Sequence, residues 1–99
     1  MAEVQVVYWR DIPAQVKARE GRERGARALD PRFQEAVDAA AMRAGLTETD
    51  DYLGEWRASG WEGRPGTLEQ VADLRGAEIE AQYPAERLRT LVDHGGREP

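Results

Sequence analysis

The sequence predicts an α+β fold in two layers, a small antiparallel sheet packed against two main helices, and three observations predict it. Residues 4–19 carry β-branched and aromatic side chains interrupted by Asp-Ile-Pro. Residues 31–44 and 67–82 carry apolar side chains at helical spacing behind clear start signals. Strands followed by helices, without regular alternation of the two, is the pattern of a sheet with helices segregated to one side. Two or three strands are expected.

Val4, Val6, Val7, Tyr8 and Trp9 suit a pleated, half-buried surface. Alternation puts Val4, Val6 and Tyr8 on one side and Gln5, Val7 and Trp9 on the other. Pro13 lacks the N–H that a ladder needs and biases Ile12 toward extended backbone, so a turn is expected at Asp11-Ile12-Pro13. The return strand points Ala14, Val16 and Ala18 to the core and leaves Gln15, Lys17 and Arg19 as a wet, basic face. Residues 20–29 stay open between a strand extension and an irregular basic loop: Gly21 and Gly25 weaken a helix, and the charges follow no apolar period.

Asp30-Pro31 is an oxygen cap followed by proline at the first helical position. Phe33, Ala36, Val37, Ala40, Ala41 and Ala44 then form a narrow apolar stripe, and Gly45 ends the helix. Thr47 or Thr49 can cap a short second helix with Asp50 and Asp51 in its first turn. Over 54–59 a helix carried through Trp56 competes with a third strand holding Trp56 and Ala58 inward; a switch near Gly54 accommodates both. Residues 60–66 read as turn and loop.

Thr67 with Gln70 is a capping box for a helix whose Leu68, Val71, Ala72 and Ile79 share a face, with Leu74 beside it. Gly76 costs that helix about 1 kcal/mol relative to alanine, or else permits a close contact. The helix stops at Tyr83. Pro84 opens a last short helix over 84–93 bearing Ala85, Leu88, Leu91 and Val92, closed by Gly95-Gly96, and residues 97–99 are expected to fray.

A length of 99 residues supports one core, so residues 1–99 are read as a single domain. The 33% of charged residues implies that this core is thin. With no cysteine, disulfides, thiolate metal sites and a cysteine nucleophile are excluded. No apolar run is long enough to cross a bilayer, and no basic segment precedes an apolar one at the start, so a cytoplasmic protein without a membrane partner is expected.

The net charge of −5 argues against nucleic acid as the main partner. The charge is uneven, however. Residues 1–45 hold eight basic and seven acidic side chains, whereas residues 46–86 hold three basic and ten acidic. Lys17, Arg19, Arg22, Arg24, Arg27 and Arg32 crowd into sixteen positions. The plain alternative is a solvated arm relieved by Glu20 and Glu23.

No enzyme motif is present. His94, the sole histidine, stands at a helix end without clustered ligands or a partner base. Asp50, Asp51 and Glu55 lack the calcium-loop spacing and suit helix-dipole complementation. Ser59, the only serine, lacks a nucleophile-elbow context, and no phosphate-binding glycine loop occurs. No cofactor is expected. What remains is an aromatic and cationic surface: Tyr8 or Trp9 with Arg10, Lys17 and Arg19, extended by Arg22 and Arg24, and Trp61 in its glycine-rich loop as a second anchor. The bland counterpart is that the basic stems simply cover the rings.

Tyr8-Trp9-Arg10-Asp11-Ile12-Pro13-Ala14-Gln15-Val16, Arg32-Phe33-Gln34-Glu35-Ala36 and Ala41-Met42-Arg43-Ala44-Gly45 together resemble the small bacterial virulence factor domain family. Tyr52-Leu53, Trp56 and Arg64-Pro65-Gly66 leading to Tyr83 continue the resemblance, which covers about residues 4–83. Its first motif is the distinctive one. Members stand alone or lie within conserved virulence factor C proteins, beside a NifU-like scaffold domain and helical repeats. The resemblance implies a bacterial accessory or interaction module and carries over no catalytic residue.

The expected function is therefore noncatalytic binding of a protein partner through the basic aromatic sheet face. An anionic small molecule or cofactor, bound in support of an enzyme encoded elsewhere, is the alternative occupant.

Overall fold

The computed structural model describes residues 1–46 and 48–99; a cap at Thr47 lies outside the described residues. The chain adopts the α+β class with a wider sheet than expected, and the described residues form five strands and four helices.

Strands β1 (Ala2–Trp9) and β2 (Ile12–Glu20) pair antiparallel, with Val4 opposite Ala18 and Val6 opposite Val16. The turn between them is Arg10-Asp11, one step earlier than the proline suggests, and Arg10 takes a left-handed φ of 52°. Pro13 sits inside β2 opposite Tyr8, where the ladder slips at Ala14. A bulge is one of the few strand positions that tolerates a missing N–H. The slip also changes parity, so Ile12 joins Trp9 across from the row of Val16.

The open stretch at 20–29 resolves as strand β3 (Glu23–Ala28), folded back on β2 through the two-residue turn Gly21-Arg22. Gly21 supplies the left-handed φ of 58° that such turns require. On the far side of β1, β4 (Trp56–Ala58) pairs with Val7–Trp9 and β5 (Glu62–Arg64) with Ala2–Val4. The switch near Gly54 is therefore what forms, with α2 ending at Leu53 and β4 starting at Trp56, although Ala58 is exposed and Trp56 only half-buried. The loop reading of 60–66 misses β5, because three residues of Glu-Gly-Arg carry no strand pattern and acquire one only by pairing with β1. The order across the sheet is β3-β2-β1-β4, with β5 beside β4 on the β1 edge.

Helix α1 (Pro31–Arg43) starts as expected, the Asp30 carboxylate accepting from the Arg32 N–H, and buries Phe33, Ala36, Val37, Ala40 and Ala41. Thr49 begins the short α2 (Thr49–Leu53) instead of capping it, and Glu48 holds the cap position without a side-chain bond. Helix α3 (Leu68–Gln82) has the full Thr67/Gln70 capping box and buries Val71, Ala72, Gly76 and Ile79, whereas Leu74 is 56% exposed. Helix α4 (Ala85–Asp93) buries Leu88 and Leu91. Helix α3 lies across β1, β2 and β3, while α1 packs on β2 and α4.

The tail makes contacts with the body of the fold. The Glu98 N–H donates to the Asp11 carboxylate at 2.7 Å, and Arg87 and Arg97 pair with Glu98 and Glu55.

Gly76 is explained by its neighbour: a Cβ there would overlap the Arg27 side chain, which crosses the helix to Glu80 and Asp73. Gly76→Ala is expected to lower the urea midpoint of the intact protein. In an Arg27→Ala background the same change should raise stability by about 1 kcal/mol, its helix-propensity value. Equal effects in both backgrounds would mean that the guanidinium steps aside at no cost.

Candidate functional site

The sheet has two unlike sides. Val4, Val6, Val16 and Ala18 are buried, and α3 lies over the strands that carry them. Alternation turns Gln5, Lys17 and Ala26 to the other side as one cross-strand row, with Glu3, Arg19 and Arg24 as the next. Trp61, just ahead of β5, lies on this second side. Its ring centroid is 4.0 Å from the Arg19 guanidinium carbon, a cation–π contact, and Arg19 Nε donates to Glu3 at 2.9 Å. Gln5 Nε2 donates to the Ser59 carbonyl at 2.9 Å and so ties down the loop that carries Trp61. Between Trp61, Lys17, Ala26 and Arg24 lies a cleft of about 500 Å³ floored by Gln5 and Gly25.

The charges there are of two kinds. Arg19 is committed to Glu3 and Trp61. Arg24 donates only to the Gly21 and Glu23 carbonyls, each at 3.1 Å. Among the described residues, Lys17, Arg22 and Arg24 have no carboxylate within ion-pair distance. Arg22 stands exposed at the tip of the β2–β3 hairpin.

Other predicted site residues lie elsewhere. Trp9 is 0% exposed, so it cannot meet a partner as the sequence reading expected. Its ring stacks on Tyr52, its indole N–H donates to the Tyr52 carbonyl at 2.9 Å, and Gly96 lies against it. Arg10 is engaged within the fold, donating to Glu55 at 3.2 Å and to the Gly95 carbonyl at 3.1 Å. Tyr8 lies on the opposite side from Lys17, under Arg57 and in a recess with Tyr83 and Ser59. Trp61 therefore occupies the place by Lys17 and Arg19 that a β1 aromatic was expected to fill. The sequence reading did not single out Gln5 or Ala26. Gln5 follows from the alternation of β1, whereas Ala26 acquires its place beside Lys17 only from the pairing of β3 with β2.

The six-residue basic cluster divides. Arg27 and Arg32 turn to α3: Arg27 forks onto Glu80 at 3.0 and 3.1 Å, and Arg32 reaches the Glu80 and Tyr83 carbonyls. Arg64 makes a like fork onto Glu78 at 2.9 and 3.0 Å. The hydrogen bonds from these guanidiniums hold the Glu78 and Glu80 carboxyls below the usual carboxylate range and raise Arg27 and Arg64.

Residues considered for catalysis or metal binding have structural neighbours. Ser59 Oγ accepts the Val6 N–H and donates to the Gly60 carbonyl. His94 is exposed, with Nδ1 2.8 Å from the Thr90 carbonyl. Glu55 is held by Arg10 and Arg97. Among the described residues no three histidine, aspartate or glutamate side chains gather as metal ligands, and no helix is long and apolar enough to cross a membrane.

A family model described as Virulence factor matches residues 7–92, from the last three residues of β1 to the penultimate residue of α4. The chain belongs to the virulence factor family. The match includes most of α4, beyond the stretch whose motifs carry the resemblance, so the last helix is part of the virulence factor domain. No curated protein and no solved structure matches this chain.

Because the folded-state carboxyls of Glu78 and Glu80 are depressed, their stabilisation is present above the unfolded carboxylate range and fades as pH falls through the lower folded values. Chemical denaturation of the virulence factor domain should thus show stability declining below about pH 4.5. Glu80→Gln should flatten that part of the profile; an unchanged slope would assign the acid sensitivity to other carboxylates.

Proposed function

We propose that this virulence factor domain is a noncatalytic bacterial interaction module that receives a protein partner on the open sheet side around Trp61, Lys17 and Arg24, with Arg22 at its rim. The observation that carries the reading is a tryptophan held by Arg19 beside uncommitted cations, over a cleft, on an otherwise acidic chain. Aromatic and basic side chains of this kind anchor interfaces, since a ring supplies contact area and a cation supplies orientation. Two committed forks on α3 leave Arg27 and Arg64 out of the surface, so attraction for an acidic partner falls on Lys17, Arg22 and Arg24.

One observation favours a second reading, an anionic small molecule. The cleft volume of about 500 Å³ lies within the usual range for ligand pockets. The protein reading is preferred because Arg24 and Arg22 extend the cationic surface past the cleft to the hairpin tip.

Affinity capture from the native cell, with mass spectrometry of proteins and retained small molecules, tests both. Lys17→Glu/Arg24→Glu and Trp61→Ala should each lose partners that wild type and the exposed α4 control Arg89→Glu retain. The expected loss is about tenfold or more for a central anchor. A partner list identical across all four proteins would overturn this docking face.

A further inference from the structure

Strand β3 ends the sheet, with β2 on one side and no strand on the other. Its open edge can be assigned residue by residue. Glu20 and Glu23 flank a two-residue turn, and such a flanking pair exchanges both backbone hydrogen bonds, after which bonded and non-bonded pairs alternate. Gly25 and Arg27 therefore aim their backbone groups at β2, and Arg24, Ala26 and Ala28 aim theirs outward. The Ala28 carbonyl agrees, because it accepts from the Arg27 guanidinium at 3.0 Å. The N–H and C=O groups of Arg24 and Ala26 have no backbone partner among the described residues.

This edge is flanked on both sides. Toward the open sheet face lies the cleft of Lys17, Arg24 and Trp61. Toward α3 lies a second hollow of about 210 Å³, where Leu68 and Ala72 meet Gly25 and Ala26 and where Glu69 and Asp73 stand at the rim. Gly25 makes the second hollow possible: a Cβ there would come within 3.1 Å of Leu68 Cδ2. An extended chain laid along β3 would send alternate side chains into the two hollows.

From this geometry we propose that the β3 edge takes a segment of the partner as an added strand, with carboxylates on one face and small apolar side chains on the other. This rests on the docking reading above and specifies how the partner binds. Carboxylates meet Lys17 and Arg24; apolar residues meet Leu68 and Ala72, where Glu69 and Asp73 repel a second row of acid. The main-chain bonds supply affinity, and the two hollows supply selection. Self-pairing is disfavoured because two β3 edges joined antiparallel would set the Lys17 and Arg24 cations of both copies on the same sheet face.

The probe is the blocked peptide acetyl-Glu-Val-Glu-Val-Glu-Val-amide, with its Lys-Val counterpart as control. It should slow hydrogen exchange at the Arg24 and Ala26 amides of the full chain about tenfold at saturation, while the Lys-Val peptide leaves them unchanged. Ala26→Pro removes an outward N–H without taking a ladder bond from β2, and should weaken the Glu-Val peptide about tenfold while circular dichroism stays native. Should that variant not fold, the exchange pattern of the wild type decides. Binding without protection at Arg24 and Ala26, equal binding of the two peptides, no binding, or a concentration-dependent dimer abolished by Lys17→Glu would each overturn the added strand. If the peptide fails but captured partners are still lost with Lys17→Glu/Arg24→Glu, the docking face stands and only the strand-addition mode falls.

Discussion

Burial of the Trp9 indole at the β1–β2 turn is the constraint on which the remaining structure depends. Three separate parts of the chain close over this corner. Tyr52 from α2 stacks on the ring at 5.7 Å between centroids and accepts its N–H, and β4 then runs beside the same strand, pairing Trp56 with Trp9. From the other end of the sequence, Gly96 approaches so closely that a Cβ would lie 2.8 Å from the ring, at a φ of 94° that also favours glycine. The Asp11 N–H donates to the Gly96 carbonyl at 2.8 Å, and its carboxylate accepts from Glu98. The largest fully buried side chain among the described residues thus sits where the start, middle and end of the chain meet.

Arg10 shows what that corner demands. A left-handed φ at a residue with a long side chain costs on the order of 1 kcal/mol, and the conformation persists because its neighbours compensate. The Arg10 N–H donates to the Glu55 carbonyl, and its guanidinium reaches Glu55 and Gly95 while lying 5.4 Å from the Trp9 ring centroid. Cations elsewhere follow the same division of labour. Arg27, Arg32 and Arg64 bind α3 to the sheet and to the start of α1, where fixed forks gain more than exposed pairs do. Lys17 and Arg24, which no carboxylate pairs, lie on the sheet side away from α3, with Arg22 at the hairpin tip.

The two sides of the sheet differ through two small irregularities. The slip at Ala14 lets Pro13 into a strand and moves Ile12 to the Trp9 side, so that end of the sheet is packed on the side where Gln5 and Lys17 are open. The edge beyond β1 is split between β4 and β5, and the connection between them carries Trp61 back over the Gln5 row. A continuous edge strand would have no loop at that point to present an indole. The short strands therefore do more for the candidate surface than for the core.

Local chemistry by itself determined the β1–β2 pair, the bounds of α1, the Thr67/Gln70 start of α3, the proline-opened α4 and the wet side of Lys17 and Arg19. Each of these depends on neighbours within a turn or on a period of two or 3.6 residues, which the order of residues states directly. Only the tertiary structure decided that Glu23–Ala28 and Glu62–Arg64 are strands, since neither has an apolar alternation and both exist through the strand beside them. It also decided that Trp9 is inside and Trp61 beside the basic residues. Alternation names the side of a strand, but which end of that side is covered depends on Tyr52 and Gly96, residues 43 and 87 positions away along the chain. The same holds for the basic cluster: Arg27 is committed by Glu80, 53 positions further along the chain, and no local pattern reports that distance.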